Sequence, residues 1–360
     1  MRGRSCLCAV LLLVAHAQAF MPSSPFGTLP RLRPSSCAVA MAGGFGSKPA
    51  AGKPKGGKKK PASVPERAPQ SAVAPAVVES DKVGMDLKRI LDGIDEEQDP
   101  FWQLIGPLLQ TEFPPSEIER VMGFIKYSTK QLPLPDDIVL DKWRPHEDIH
   151  AFMAGIPATQ FRDTSNVPFI QELEANYEAI ALEFEALVKD PRASFQSVTS
   201  MNYDSGWKTL VLYFNGHRIE GFPYETCPIT TAILDKVPVA GRIAGFNRQK
   251  PNSGIPLHSD GNNMWLTCQM GIKVPKGQKA WIRVGDETRR WTEGKCLLYD
   301  TTFEHETFNE SEEEERVVLH IDFWNFLDLS PTEVKAMQRV YELREMFLRA
   351  EGLIETGGKL

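Results

Sequence analysis

The feature that most constrains the fold is a series of short β-type runs in the second half of the chain. These runs are rich in aliphatic and aromatic residues and are separated by Gly, Pro, Asp or Asn. They are Leu210–Phe214, Arg242–Phe246, Trp265–Val274, Ala280–Val284, Lys295–Tyr299 and Arg316–Trp324. Many short strands in succession are typical of sandwiches and jelly rolls. We therefore predict a mainly β fold whose core is a double-stranded β-helix, that is, a cupin-like jelly roll with flanking α-helices.

Helical patterns lie on both sides of the β region. Apolar residues at helical spacing predict a small helical unit over residues 81–165, for which the sequence indicates no chemistry. The jelly-roll domain is assigned to residues 166–330. A C-terminal helix is predicted over residues 331–360, because its start has the pattern of a capping box with proline at the first helical position. The residues of that start are Ser330, Pro331 and Glu333.

Within the jelly-roll domain, Pro168 is expected to open a helix with one apolar face. The residues assigned to that face are Ile170, Leu173, Tyr177, Ile180, Leu182, Phe184 and Leu187. Such a face predicts that the helix packs on the β core.

The first residues have the composition of a bipartite targeting presequence. Residues 1–19 combine two arginines, an apolar run too short to span a bilayer and the small-x-small end Ala17-Gln18-Ala19, as signal peptides do. Residues 20–42 lack acidic residues and are rich in Ser, Pro and Ala, which is typical of transit peptides. The combination resembles the plastid (chloroplast) presequences of algae with secondary plastids. We expect a plastid location, with the secretory pathway or ER lumen as the alternative.

Residues 43–80 are rich in Gly, Pro, Ala and Lys, and we expect a disordered cationic linker. Lys and Arg are concentrated before residue 70, whereas acidic residues dominate afterwards and the whole chain carries a formal net charge of −6. A folded region of that balance has no basic stripe for nucleic acid. We therefore expect no nucleic-acid partner and no transmembrane segment in the mature chain.

One set of residues has the pattern of a metal site. His258-Ser259-Asp260 lies between two predicted strands, and His305 follows a third strand further along. Iron(II) that activates dioxygen is commonly held by two imidazoles and one carboxylate, which leave three coordination positions open. The sequence between His258 and His305 is long enough for the strands that a jelly roll needs to bring the two imidazoles close together. We predict that His258, Asp260 and His305 are the catalytic metal ligands.

Arg316 begins the last β run, shortly after His305. An interior guanidinium at that point can hold a carboxylate through two parallel hydrogen bonds. His258, Asp260, His305 and Arg316 form one pattern. In this pattern, we expect Arg316 to bind the far carboxylate of 2-oxoglutarate.

These motifs resemble, in order and spacing, the aspartyl/asparaginyl β-hydroxylase family of Fe(II)- and 2-oxoglutarate-dependent oxygenases. The resemblance runs from about Trp207 to Ser330 and does not cover the helical unit. The residues that carry it are Gly206 to Thr209, Cys227-Pro228, Pro256 to Asp260, Met270 to Pro275, Trp291 to Lys295, Phe303 to Glu306 and Arg316–Trp324.

The resemblance implies that His258 and His305 bind Fe(II), that Arg316 binds 2-oxoglutarate, and that Trp207 packs near this co-substrate, with O2 as the second co-substrate. Animal members have Gly where this chain has Asp260, so the chain keeps the fuller ligand set. The family also has an Arg and a His at the positions of Thr267 and Gln269. Gln269 can still donate to a carboxylate through its uncharged amide, whereas Thr267 cannot replace a guanidinium. We expect either weaker co-substrate binding or a contribution from other residues such as Asn247 and Arg248.

The function favoured by this resemblance is hydroxylation of a C–H bond by a 2-oxoglutarate-dependent dioxygenase, most simply on an aspartyl or asparaginyl residue of a peptide or protein. One alternative keeps the chemistry and changes the substrate to a lipid acyl chain or a small metabolite. Another, from a different class, is a non-catalytic cupin-like binding or scaffold protein. Because a fold alone does not determine a substrate, the sequence does not decide between these three functional hypotheses.

Overall fold

The computed structural model describes residues 100–133, 135, 136, 138, 142–144, 152–196, 206–260 and 262–350. The targeting sequence, the linker and the start of the predicted helical unit lie outside these residues, as do residues 351–360 of the predicted C-terminal helix.

Within the described residues, the β region forms ten antiparallel strands in two sheets. The strands are β1 Trp207–Phe214, β2 His217–Arg218, β3 Val239–Gln249, β4 Ser253–His258, β5 Trp265–Lys273, β6 Ala280–Val284, β7 Glu287–Arg290, β8 Cys296–Tyr299, β9 His305–Asn309 and β10 Arg316–Trp324. One sheet has the order β2-β1-β3-β10-β5-β8 and the other has the order β4-β9-β6-β7. The predicted jelly roll is confirmed, and each of the six predicted runs corresponds to one of these strands, although the runs at β5 and β8 extend one residue beyond the strand.

Helices surround the sheets. They are α1 Pro100–Glu112, α2 Glu119–Ser128, α3 Pro168–Ala175, α4 Tyr177–Lys189, α5 Pro228–Leu234 and α6 Pro331–Ala350, with 3-10 turns at Pro115–Glu117 and Tyr224–Thr226. Within the described part of the chain, none of them is both long and apolar enough to cross a membrane.

The six-stranded sheet has one apolar face and one polar face. Residues such as Phe246, Leu319 and Cys268 alternate onto the apolar face and are buried against α3, α4 and α5 in the main core. Successive side chains of a strand point to opposite faces, so the residues between them point into the space between the two sheets. Burial of the apolar face therefore directs a set of polar side chains into the interior of the jelly roll.

The helix predicted from Pro168 to Leu187 is in fact two helices, α3 and α4, which meet at Asn176. The side chain of Asn176 donates to the backbone carbonyl of Glu172 (2.8 Å) at the break. Leu182, assigned to the buried face, is 67% exposed, whereas Ile180 and Leu187 are buried. Leu182 stands two residues from Ile180, which on a helix places it on a different face, so this assignment was wrong.

A second core joins α1, α2 and α6 to the end of the six-stranded sheet through Trp265 and Trp324. The predicted capping box of α6 is present, because the Ser330 hydroxyl accepts from the Glu333 backbone (3.2 Å) and the Glu333 carboxylate accepts from the Ser330 backbone (2.8 Å). Next to this core, the Asn263 side chain accepts from and donates to the backbone of Met153 (2.8 and 2.9 Å). These bonds fix the loop that follows His258.

Candidate metal and anion site

The predicted metal ligands come together at one end of the four-stranded sheet. His258 is the last residue of β4 and His305 is the first residue of β9, and the two are register partners in antiparallel strands. Their ring centroids are 4.2 Å apart. Asp260 follows two residues after His258, and one ligand atom from each of the three side chains lies within 4.8 Å of the others. The three residues can therefore hold one metal ion.

Both imidazoles are held in the tautomer that a metal ligand needs. The Nδ1–H group of His258 donates to the carbonyl of Pro256 (2.8 Å), and that of His305 donates to the carbonyl of Phe303 (2.9 Å). A carbonyl can only accept, so each Nδ1 carries the proton and each Nε2 keeps its lone pair. Burial lowers the pKa of His305 to about 3, an effect that the neighbouring His258 reinforces. His305 is therefore neutral at ordinary pH.

Asp260 supplies the negative charge of the group. Its backbone N–H donates to the carbonyl of Thr301 (2.8 Å), which ties the loop after β4 to the turn before β9. Nη2 of Arg242 lies 2.9 Å from Oδ2 of Asp260. Burial alone would raise the pKa of Asp260, but Arg242 and the two histidines outweigh it and the pKa is lowered. The site thus combines two imidazoles, of which the buried His305 is neutral, with one carboxylate.

Arg316 points into the interior of the jelly roll and is completely buried. Its Nε, Nη1 and Nη2 atoms have no hydrogen-bond partner among the described residues. The guanidinium carbon lies 4.7 Å from the ring of Trp207 and 4.2 Å from the ring of Trp291. Burial lowers the pKa of Arg316. The two indole faces compensate for part of the lost hydration by cation–π attraction but make no hydrogen bonds.

Further unpartnered polar atoms surround Arg316. Gln249 is its register partner on β3, Asn247 faces Val318 two positions along, and Thr209 faces Asn247 from β1. Both polar atoms of the Asn247 side chain, Nε2 of Gln249 and Oγ1 of Thr209 are buried without a hydrogen-bond partner in the described residues. We refer to Arg316, Thr209, Asn247 and Gln249 as the Arg316 cluster. Buried polar groups are rarely left unpaired, so this cluster has the character of a ligand site.

The other polar side chains of the same face are bonded to one another. Asp322, 1% exposed, accepts from the Thr267 hydroxyl (2.5 Å) and lies 3.2 Å from Nε of Arg242 and 3.0 Å from Nε2 of His320. Nε2 of Gln269 donates to Nδ1 of His320 (2.9 Å). We refer to Arg242, Thr267, Gln269, His320 and Asp322 as the Asp322 network. The Gln269 amide, expected at the co-substrate, thus has a partner within this network, and its role at the co-substrate stays a prediction.

Sequence reasoning missed part of this arrangement. Trp291 belongs to a quoted motif, but nothing assigned it a role beside Arg316. Asp322 alternates onto the inner face with His320. Arg242 lies four positions before the outward-facing Phe246, so alternation alone would place it on the outer face, and a register irregularity between β3 and β10 accompanies its inward position. The pairing of β3 with β10 was needed to show that they meet.

Residues 174–325 match the family described as Aspartyl/Asparaginyl beta-hydroxylase, which confirms the predicted resemblance. The chain is 33% identical over 168 residues to the ornithine lipid ester-linked acyl 2-hydroxylase of Rhizobium tropici, covering 45% of this chain and 59% of that protein. It is 31% identical over 186 residues to human aspartate beta-hydroxylase domain-containing protein 2, covering 48% of this chain and 49% of that protein. The chain thus spans about half the length of these curated relatives.

Among solved structures, the chain resembles a 2OG-Fe(II) oxygenase family oxidoreductase from Burkholderia pseudomallei at 11% identity and a TM-score of 0.28, covering 47% of this chain and 95% of that one. It also resembles HygX from Streptomyces hygroscopicus, solved with nickel and 2-oxoglutarate, at 10% identity and a TM-score of 0.28, covering 42% and 78% of the two chains. Both similarities cover less than half of the present chain.

Proposed function

We propose that this chain, whose residues 174–325 belong to the aspartyl/asparaginyl β-hydroxylase family, is an iron(II)- and 2-oxoglutarate-dependent dioxygenase that hydroxylates a C–H bond. The observation that carries the proposal is the combination of a His-Asp-His ligand group with a buried, unpartnered guanidinium inside the same jelly roll. The first feature fits a metal and the second fits an organic anion.

The ligand group fits iron(II). Two neutral imidazoles and one carboxylate on the same side of a metal leave the remaining positions for exogenous ligands, as non-haem iron oxygenases require. In this chain, the backbone carbonyls of Pro256 and Phe303 fix the two imidazoles, and Arg242 holds one oxygen of Asp260. When bound, iron(II) and 2-oxoglutarate together supply the dioxygen activation that an unactivated C–H bond needs.

The Arg316 cluster fits the far carboxylate of 2-oxoglutarate. The planar guanidinium of Arg316 can donate two parallel hydrogen bonds to a carboxylate, and the Asn247 amide and the Thr209 hydroxyl can add further donors. Trp207 and Trp291 pack against the guanidinium and are 5% and 1% exposed, so they keep water away from the ion pair. A charged pair shielded in this way is stronger than one in water.

Substrate reaches the metal from the side of His258. His305 is 5% exposed, whereas His258 is half-buried and its neighbour Leu257 is 44% exposed. We propose an aspartyl or asparaginyl residue of a peptide or protein as the substrate. The second candidate is a lipid acyl chain, which the similarity to the Rhizobium lipid hydroxylase favours.

The test is succinate formation by the purified full-length chain supplied with Fe(II), 2-oxoglutarate and oxygen. We expect succinate only when the metal is present, and more of it when the substrate is added. Capture of substrates by the anaerobic Fe(II)/2-oxoglutarate complex, followed by mass spectrometry, distinguishes peptides from acyl lipids. Absence of metal-dependent succinate under all conditions would favour the non-catalytic cupin-like reading.

A further inference from the structure

Arg242 lies between two carboxylates in the interior of the jelly roll. Its Nη2 is 2.9 Å from Oδ2 of Asp260, and its Nε is 3.2 Å from Oδ2 of Asp322. The Arg242 side chain is 18% exposed and its guanidinium carbon lies 5.5 Å from the ring of Trp265. One guanidinium therefore connects a proposed metal ligand to a residue that does not touch the metal group.

Asp322 is a rigid anchor for that connection. It lies near the C-terminal end of β10, a strand between β3 and β5, and its side chain is 1% exposed. The Thr267 hydroxyl holds Oδ1 (2.5 Å), while His320 Nε2 lies 3.0 Å from Oδ2. Because Gln269 donates to Nδ1 of His320, the Nε2 atom of the same ring carries a proton, and this atom faces Asp322. Burial opposes ionisation, but His320 and Arg242 outweigh it and hold the pKa of Asp322 well below its usual range.

The charges explain why two carboxylates are useful. A guanidinium facing Asp260 alone would neutralise it and compete with a metal cation for the same charge. Because Arg242 also pairs with Asp322, the three side chains Arg242, Asp260 and Asp322 together carry one net negative charge. This charge attracts a metal cation. Because Arg242 holds Oδ2, we expect Oδ1 of Asp260 to be the oxygen that ligates a metal, and single-oxygen ligation keeps the other coordination positions open.

We infer that Arg242, anchored by Asp322, is a positioning residue that orients Asp260 for single-oxygen ligation of the metal. The inference rests on the proposed metal site and assigns a role to residues that the site itself does not include. The polar partners of Thr267 and Gln269 in this arrangement are Asp322 and His320.

Cobalt(II) binding to the full-length chain under anaerobic conditions tests this role, since its visible spectrum reports both affinity and ligand geometry. We expect Arg242→Gln to weaken cobalt(II) binding by about 10–100-fold, the usual effect of losing a residue that orients a ligand, and to alter the spectrum. Asp322→Asn should act in the same direction. Thr267→Val, which keeps the shape of the side chain and removes only one hydrogen bond to Asp322, should give a smaller loss.

The matched control is Arg339→Gln. Arg339 also bonds a carboxylate, that of Glu112, and its side chain is 20% exposed, but it lies on α6 away from the ligand group. It should leave cobalt(II) affinity and spectrum unchanged. In an Asp260→Ala background, Arg242→Gln should have no further effect on affinity, because the residue acts through Asp260.

Three results would overturn the inference. The first is unchanged or tighter cobalt(II) binding in Arg242→Gln and Thr267→Val, and the second is an effect of Arg242→Gln that persists without Asp260. In both cases the metal site itself would stand. The third is an unaltered chain that binds no cobalt(II), which would overturn the metal site and the inference together.

Discussion

Two clusters of polar residues lie on the same inner face of the six-stranded sheet, yet their hydrogen bonding differs. In the Asp322 network, Thr267, His320 and Arg242 all bond or closely approach one carboxylate. In the Arg316 cluster, the guanidinium, Asn247 and Thr209 have buried polar atoms without protein partners in the described part of the chain. The first cluster is centred on one carboxylate and is largely paired within the protein, although Oε1 of Gln269 has no hydrogen-bond partner among the described residues, whereas the second is arranged for an anion.

The difference indicates that the two clusters have different roles on the same face of the sheet. The Asp322 network is adjacent to Asp260, the proposed metal ligand, and its bonds exist without any bound ligand. The Arg316 cluster carries a buried charge whose desolvation is repaid by hydrogen bonds only when a carboxylate enters. Substitutions in the two clusters should therefore differ in kind as well as in size.

The largest effect is expected from a change at the metal ligands that both clusters serve. His305→Ala removes a buried ligand with a fixed tautomer, and we expect the loss of bound iron and a fall of 2-oxoglutarate turnover to background. Metal content by elemental analysis and succinate formation measure this. His217→Ala, at an exposed position of β2, is the control and should change neither. Full metal content in the His305→Ala variant would show that the ligand assignment is wrong.

The next effect concerns the stability of the ligand-free protein. Removing a charged side chain should raise the free energy of unfolding in the Arg316 cluster and lower it in the Asp322 network. Arg316→Met replaces an unpaired buried charge with an apolar chain of similar length, and we expect the free energy of unfolding to rise by about 1–4 kcal/mol. Asp322→Asn removes the carboxylate charge that pairs with Arg242, and we expect the free energy of unfolding to fall by about 3–5 kcal/mol. Urea denaturation of both variants checks this. Destabilisation of similar size in both would remove the distinction between the clusters.

A smaller effect is expected at Asn247. Its amide is buried without a partner, so Asn247→Ala should cost little stability but remove one donor to a bound carboxylate. A hydrogen bond to a charged group contributes about 1.5 kcal/mol at the lower end, which corresponds to roughly tenfold weaker 2-oxoglutarate binding. Calorimetric titration of the metal-loaded protein measures this, with iron affinity as the internal control. Unaltered 2-oxoglutarate affinity would place the carboxylate away from Asn247.

The grouping of His258, Asp260 and His305 and the interior position of Arg316 could be predicted from the sequence because chemistry limits the residue types. Few side chains can hold iron(II) or a buried carboxylate, and strand spacing restricts where they can stand. The strands with continuous apolar patterns, such as β5 and β10, were also predictable. Their outer faces are buried against helices, which is what an apolar pattern records.

The strands that carry the histidines were less visible. β4 reads Ser-Gly-Ile-Pro-Leu-His and β9 reads His-Glu-Thr-Phe-Asn, and neither has a regular apolar alternation. They are strands because they pair with each other and β9 pairs with β6. Tertiary pairing of this kind overrides local preference, so local sequence does not show it.

Hydrogen-bond partners within the interior could not be read from the sequence either. Gln269 was expected at the co-substrate, but β5 and β10 pair in a register that sets Gln269 opposite His320 and Thr267 opposite Asp322. A shift by one residue would have turned both side chains to the other face. The register between β5 and β10 therefore determines which polar side chains bond to one another in the Asp322 network.

The most direct test of the account is a 2-oxoglutarate titration of the anaerobic Fe(II)-loaded full-length chain, followed by the visible charge-transfer band that forms when 2-oxoglutarate chelates iron. The account predicts that the band appears and saturates. In Arg316→Ala it should require concentrations higher by roughly one to three orders of magnitude, because about 1.5–3 kcal/mol is lost per charged hydrogen bond. Absence of the band, or the same half-saturation in both proteins, would contradict the central claim that Arg316 holds the co-substrate beside the metal.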